Sequence, residues 1–450
     1  MNLDESAVFY RNPEDDYPLI VEASGYRLRD GSGHELIDLT SGISSTALIG
    51  QGRVEIADAI RDQINRVTYI HSSGATNPAQ EELARRLADL APGDLNRVMF
   101  TSGGSEANEV ALRIIRQYHL ARGKPGKRAV IALHPSYHGA TAGALSLTGR
   151  WDINRDYEPY LFDVHHVPAP ISFRGPFRDL EPDKLAHDAA SAVEAAIESI
   201  GPDQVSAFVA EPISLSTGMA VPPDRYWQLI REICDRHDVV LMVDEIITGM
   251  GRTGALFRSA EIGVTPDVLT LAKGLAAGYA PLGATLVSQE MVDAIGSKHR
   301  RMAEVHTHSG APIPCAVGIA VLDVIERENL VRAGREKGET LRSILEEQIA
   351  PLPFVGDIRG LGLMQAVEYV TDTETRQTFP GEATIARSVT QAMWDKGFLV
   401  RTMHHPMASV GDCTVFVPAL TVSPDDLAAG VAALRDVLVG LESSWKNFSA

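Results

Sequence analysis

An α/β fold, with a mostly parallel sheet in a large unit and a smaller α+β unit beside it, is what this sequence predicts, on three observations. Between Arg97 and Ser288, short apolar runs alternate with helical stretches, the mark of strands buried on both faces and joined by crossovers. After about Ala311 the texture changes to longer amphipathic helices with short strands between them. The chain has 450 residues, 44% of them hydrophobic, which is more than a single core usually organises.

Taken in order, VEASGYRLRD and HELIDLT near the start read as a hairpin around Gly31–Gly33. RVMFT, ending at Thr101, is the first buried strand and leads into a helix over Glu106–Leu120. RAVIAL and VSAFVAE follow as strands, then a helix over Arg225–Arg236, and then the strands VVLMVDE, DVLTLAK and GATLVS. Residues Asp156 to Asp183, rich in Pro, Phe and His, read as a long excursion, either disordered or shaped around a site. Beyond Ala311 come helices over Ala316–Arg327 and Arg332–Gln348, with strands near Gly362–Tyr369, Gly397–Val400 and Thr414–Val417. The expected division is a large unit of residues 56–310 and a small unit formed by residues 1–55 and 311–450.

A formal net charge of −18 argues against a surface built to attract nucleic acid or anionic lipid. Cys234, Cys315 and Cys413 are isolated from one another, which suits a reducing compartment. The acidic opening stretch has no apolar run of the presequence kind, and no eighteen-residue apolar segment occurs, so a cytoplasmic protein without a membrane span is expected.

Three sites carry chemistry. In FTSGGSEANE a buried strand runs through Gly103, Gly104 and Ser105 into a helix; freed amides and the helix dipole there suit an anion, although an ordinary turn capped by Ser102 or Ser105 reads equally well. The spacing is neither that of a dinucleotide loop nor that of a P-loop. VVLMVDE ends in Asp244 and Glu245, which either cap the next turn or point into the crevice at the carboxyl end of the sheet. DVLTLAK delivers Lys273 at the end of an apolar strand, where desolvation lowers an amine's pKa toward the range of a nucleophile. His138, His306, His308, His404 and His405 lack metal-ligand spacing, and no metal is expected.

Seven segments in order (GGSEANE at 103–109, SYHG at 136–139, AEP at 210–212, MVDEIITGMGRTG at 242–254, PDVLTLAKGLAAGYAPLGA at 266–284, THSG at 307–310 and DIRGLGLM at 357–364) resemble the class III, or ω-, aminotransferases of fold type I, which use pyridoxal 5'-phosphate. The resemblance spans nearly the whole chain. It implies that Lys273 is the Schiff-base lysine and proton shuttle, and that Asp244 pairs with the cofactor's ring nitrogen. Gly104 and Ser105 would hold the phosphate, Tyr137 and Ile246 would cover the two ring faces, and Glu211 would order polar groups near the cofactor's hydroxyl, unless it serves only its strand end. Thr307 would reach the phosphate of a neighbouring subunit, and a homodimer with shared active sites follows.

For substrate, the resemblance points to a ping-pong transfer from an ω-amino acid, diamine or amine to a keto acid, pyruvate first. Family members that use 2-oxoglutarate commonly carry DExQTG, and here Ile247 replaces the glutamine. Arg401 lies where that branch keeps an arginine for the substrate carboxylate, or is a surface arginine after a strand. Ser44 stands near a position where amine-acting relatives carry an aromatic side chain, and the stretch from Arg401 to the Pro418-Ala419 pair is longer than usual. The alternatives are 2-oxoglutarate as acceptor, an aminomutase or a decarboxylating relative on the same cofactor, and a non-catalytic cofactor-binding protein.

Overall fold

The computed structural model describes residues 6–12, 15, 17–299, 301–302, 306–404 and 410–448. Strands β1 (Ile20–Ser24), β2 (Arg27–Asp30) and β3 (Glu35–Asp38) form an antiparallel meander near the start. The expected hairpin is its second half, turning between Asp30 and His34, where the Asp30 carboxylate accepts the backbone N–H of Ser32 and of His34.

The largest sheet is built from β4 (Arg97–Thr101), β5 (Ala129–His134), β6 (His165–Pro168), β7 (Val205–Ala210), β8 (Val240–Asp244), β9 (Val268–Leu271) and β10 (Gly283–Val287). Their order across the sheet is β4-β10-β9-β8-β7-β5-β6. Every neighbouring pair is parallel except the two that involve β10. Side chains alternate in β8 as a strand buried on both faces requires. Val240 and Met242 pack with the helix Gly104–Ala121, while Leu241 and Val243 pack with the helices Pro182–Ile200 and Asp224–Arg236 on the other face.

One element was not expected. The excursion Asp156–Asp183 carries β6, which adds an edge strand to the sheet by parallel pairing with β5. HHVP is four residues long, partly polar and ends in proline, so it lacks the apolar run that announces a strand; an edge position tolerates that composition because one side needs no ladder donor.

Strands β11 (Val355–Leu361), β12 (Met364–Tyr369), β14 (Arg401–Met403) and β15 (Cys413–Phe416) make a third sheet in the order β11-β12-β15-β14, while the short β13 (Phe398–Leu399) leaves it to pair in parallel with β3. The two ends of the chain are thereby sewn into one sheet. The helices Leu330–Gln348 and Pro424–Trp445 pack on each other beside the third sheet, with Trp445 set among the rings of Phe354, Tyr369 and Phe379. The helix Val54–Ile64 packs on the helix Pro312–Arg327, so the boundary expected at residue 56 falls within an element.

The excursion is bolted to the third sheet by charge. Buried Glu368 on β12 binds the guanidinium of Arg174 and that of Arg359, and both of these, with Arg376, stand over the ring of Phe173. Burial alone would raise the Glu368 carboxyl's pKa, but the two guanidiniums outweigh it and hold the group below its ordinary value.

Candidate active site

Five strand ends meet at the carboxyl edge of the large sheet, the edge where open α/β sheets place their ligands. β8 ends in Asp244, β9 runs out into Lys273, β7 into Glu211, β4 into Gly103–Ser105, and β5 into the loop with Tyr137 and His138. All five contribute to the lining of one cavity of about 300 Å³.

Lys273 opens a single 3-10 turn with φ of 36°, an uncommon backbone state for a residue with a Cβ and one that tends to collect at functional sites. Burial pushes its amine down to about 8, against the smaller opposing pull of Asp244 and Glu211. No hydrogen bond or ion pair to another described residue holds that amine, so it is free for a ligand in the cavity.

Asp244, by contrast, is clamped. Its Oδ2 accepts from His138 Nδ1 at 2.9 Å and from Asn108 Nδ2 at 3.0 Å, and its Oδ1 accepts the Ile246 N–H at 3.0 Å. Burial alone would lower the pKa of His138, but the bond to Asp244 and its charge prevail and raise it, so the carboxylate keeps a cationic or strongly donating neighbour. Glu211 is raised to about 7 by burial, with the Asp244 charge adding to it and His138 opposing it; its Oε2 accepts from Ser214 Oγ at 2.6 Å and from the Tyr137 N–H at 3.0 Å.

The phosphate-sized end is a helix N-terminus. Gly103 caps the helix Gly104–Ala121 without any side-chain bond to its first amides, while Glu106 folds back to accept the Ser102 N–H at 2.7 Å. A Cβ on Gly104 would come within 2.6 Å of Ile246 Cδ1, and one on Gly139 within 2.5 Å of Ser105 Oγ, so only glycines leave this wall open. Open amides at one end, a fixed carboxylate at the other and a neutralisable amine between them are the donor set that a phosphorylated pyridine aldehyde needs, and the residues fit that group.

Of the residues singled out from sequence, Gly104, Ser105, Tyr137, Glu211, Asp244, Ile246 and Lys273 line this cavity. Three others do not. Ser44 is exposed, its Oγ 2.8 Å from Thr46 Oγ1, and it is Thr46 that reaches the cavity. Arg401 stands at the start of β14, its Nη1 donating to the Ile43 carbonyl at 3.4 Å, and its charge acts on Lys273. Thr307 is exposed, its carbonyl accepting from Tyr69 Oη at 2.9 Å. Among the histidines, His404 bonds Asp412 and His308 stacks edge-on with Tyr69, while His405 lies outside the described residues.

Sequence reasoning missed the grip of Asn108 and His138 on Asp244. Both lie inside segments it had quoted, but they are more than a hundred positions from Asp244 and no local spacing announces the contact.

The aminotransferase class-III family model matches residues 9–438. A probable aminotransferase of Mycobacterium tuberculosis is 40% identical over 389 residues, covering 86% of this chain and 83% of that protein. The putrescine–pyruvate aminotransferase of Pseudomonas aeruginosa is 32% identical, covering 93% and 90%. A crystal structure of an amine transaminase from an uncultivated Pseudomonas species, with pyridoxal phosphate bound, superposes with a TM-score of 0.91 at 32% identity, covering 97% of this chain and 99% of that one. The fold is therefore that of the fold type I pyridoxal-phosphate enzymes. The chain belongs to the class III aminotransferases, and its cofactor is pyridoxal phosphate.

Proposed function

We propose that this aminotransferase takes the amino group of an ω-amino acid, diamine or amine and passes it to a keto acid, pyruvate first, in two half-reactions at the Lys273–Asp244 cavity. The observation that carries the reading is the delivery of these two groups, from adjacent strands, to one cavity. Ile247, where a glutamine marks relatives that use 2-oxoglutarate, is among the lining residues and favours pyruvate. The likeness to a putrescine–pyruvate enzyme supports the same choice.

The bound cofactor supplies an electron sink for the carbanion formed at the substrate's amino-bearing carbon. Lys273, substantially neutral near pH 8, provides the nucleophilic nitrogen and carries the proton away from that carbon and back. Asp244, fixed by His138 and Asn108, keeps a proton on the ring nitrogen. The amides of Gly104 and Ser105 would hold the phosphate, Tyr137 and Ile246 would cover the ring, and the Glu211 carboxyl would order the polar groups near its hydroxyl. Arg401 receives the substrate carboxylate, and Ser44 acts only through Thr46.

Thr307, exposed on its own subunit, serves the phosphate of a second copy, which makes the working unit a homodimer; exposed Val67, Tyr69 and Ile70 give that contact its apolar area. Residues 56–310 form the cofactor unit, and residues 1–55 with 311–450 form the smaller one. Three free, buried cysteines suit a cytoplasmic setting, and no described helix is long and apolar enough to cross a membrane.

A panel of amines and keto acids, read as separate half-reactions, tests the donor and acceptor. Carbon dioxide release, or isomerisation without a keto acid, would overturn the choice of reaction. Lys273→Ala should lose the cofactor's visible absorbance and at least about 10²–10⁴-fold in turnover; turnover at the parental rate would refute the nucleophile.

A further inference from the structure

Half-exposed Tyr69 spends its hydroxyl on a backbone far from its own place in the chain. It lies on the segment between the helices Val54–Ile64 and Pro78–Leu90, and its Oη donates to the carbonyl of Thr307, 238 positions away, at 2.9 Å. Its ring also meets that of His308 edge-on, with the centroids 6.1 Å apart. Water competes for such a bond at an open surface, so in one subunit alone it adds little to stability. Its worth rises once a second copy covers the surface and water leaves.

The turn that Tyr69 holds, residues 306–311, is fastened at two further points. Ser309 Oγ donates to the Phe100 carbonyl at 2.7 Å, and Asn77 Nδ2 donates to the Gly310 carbonyl at 2.9 Å. Asn77 is itself fixed, because its Oδ1 caps the helix Pro78–Leu90 by accepting the Gln80 N–H at 2.9 Å. Gly310, at a φ of 68°, sits so close to that helix that a Cβ on it would come within 2.2 Å of Gln80 Oε1. Ser309 and Asn77 thus secure the far end of the turn, and Tyr69 secures the backbone of Thr307 itself. What Tyr69 takes is the Thr307 carbonyl and not its hydroxyl, and Thr307 stays exposed.

We propose that Tyr69 is a positioning residue for the cofactor of the neighbouring subunit, fixing the backbone of Thr307 so that this residue's hydroxyl stands at the neighbour's phosphate. The proposal rests on the assignment of Thr307 to a second copy and deepens it. Tyr69 touches neither cofactor nor substrate and acts through Thr307 alone. Its effect is therefore confined to the phosphate, and a cofactor without that group is blind to it.

The test titrates apoenzyme with pyridoxal phosphate and, separately, with pyridoxal, which lacks the phosphate, and follows the aldimine absorbance. The parent is compared with Tyr69→Phe, Thr307→Ala and the double variant, each at a protein concentration where sedimentation shows the parent's assembly. Tyr69→Phe keeps the ring and removes one hydrogen bond; it should weaken pyridoxal phosphate about fivefold and leave pyridoxal unchanged. Thr307→Ala should weaken pyridoxal phosphate at least about tenfold, because its bond is to a charged group. The double variant should bind no more weakly than Thr307→Ala, since the two residues act as one unit. A Tyr69→Phe variant that binds pyridoxal phosphate as the parent does, or that loses both ligands alike, overturns the proposal, and so do losses that add in the double variant. If Thr307→Ala weakens pyridoxal phosphate and Tyr69→Phe does not, the positioning role fails while the assignment of Thr307 stands. If Thr307→Ala changes nothing, that assignment fails and the proposal with it.

Discussion

At the scale of single residues, burial converts a strongly hydrated ammonium into a reactive amine at Lys273. With a pKa of about 8 instead of the ordinary 10.5, about a tenth of the group is neutral at pH 7, where an exposed lysine would be neutral in only about one molecule in three thousand. The sign follows: raising the pH through about 8 removes the proton and increases the nucleophile. Apoenzyme mixed with pyridoxal phosphate should take up the cofactor at a rate that climbs with pH and levels off above about 8; a midpoint near 10.5 would mean that Lys273 is solvated like any surface lysine. Residue types and strand ends made Lys273 and Asp244 legible in the sequence. The clamp of Asn108 and His138 on Asp244 was not legible, because it depends on where a helix and a loop come to lie beside β8.

At the scale of elements, helix and strand positions followed the apolar pattern wherever burial was continuous, as in β7, β8 and β9. The pattern was silent where a strand sits at an edge, as β6 does, since half of an edge strand's surroundings is solvent. The close approach of elements depends on glycines in the same indirect way. The helix Leu330–Gln348 lies so near the β11–β12 turn that a Cβ on Gly338 would come within 2.4 Å of the Gly362 backbone. Backbone cannot swing aside as a side-chain tip can, so Gly338→Ala should lower the unfolding free energy by about 1–3 kcal/mol, read from the denaturant midpoint. A midpoint equal to the parent's would show that this helix has room to move outward.

At the scale of the whole molecule, charge ties distant segments together. Glu368 stands between Arg174 of the excursion and Arg359 of β11, and Glu368→Gln leaves buried Arg174 without a counter-charge and Arg359 with Asp357 alone. The expected loss is about 3–5 kcal/mol in chemical denaturation, the usual result of removing one partner of a buried pair. Because the folded-state pKa of Glu368 is depressed, its contribution is complete above the unfolded carboxylate's value of about 4.3 and disappears as pH falls through the lower folded value. The parent should therefore lose stability in acid below about pH 4 more steeply than Glu368→Gln does. The proposed sharing of sites between two subunits has its own check. Subunits carrying Lys273→Ala, refolded together with subunits carrying Thr307→Ala, should regain one complete site per mixed dimer and tight cofactor binding there; if mixing restores nothing, Thr307 does not serve its neighbour.

The sequence by itself determined which strands are buried and which of them end in a lysine, an acid or a glycine turn, while the cofactor came with the resemblance of seven such segments to a known family. Those properties are written in runs of a few residues, because desolvation and backbone freedom are local. Tertiary structure alone decided what surrounds that chemistry, from the grip on Asp244 to the replacement of Ser44 by Thr46 at the cavity wall. Such contacts join residues far apart in the chain, and their energies come from distance and burial, which no local pattern of residues encodes.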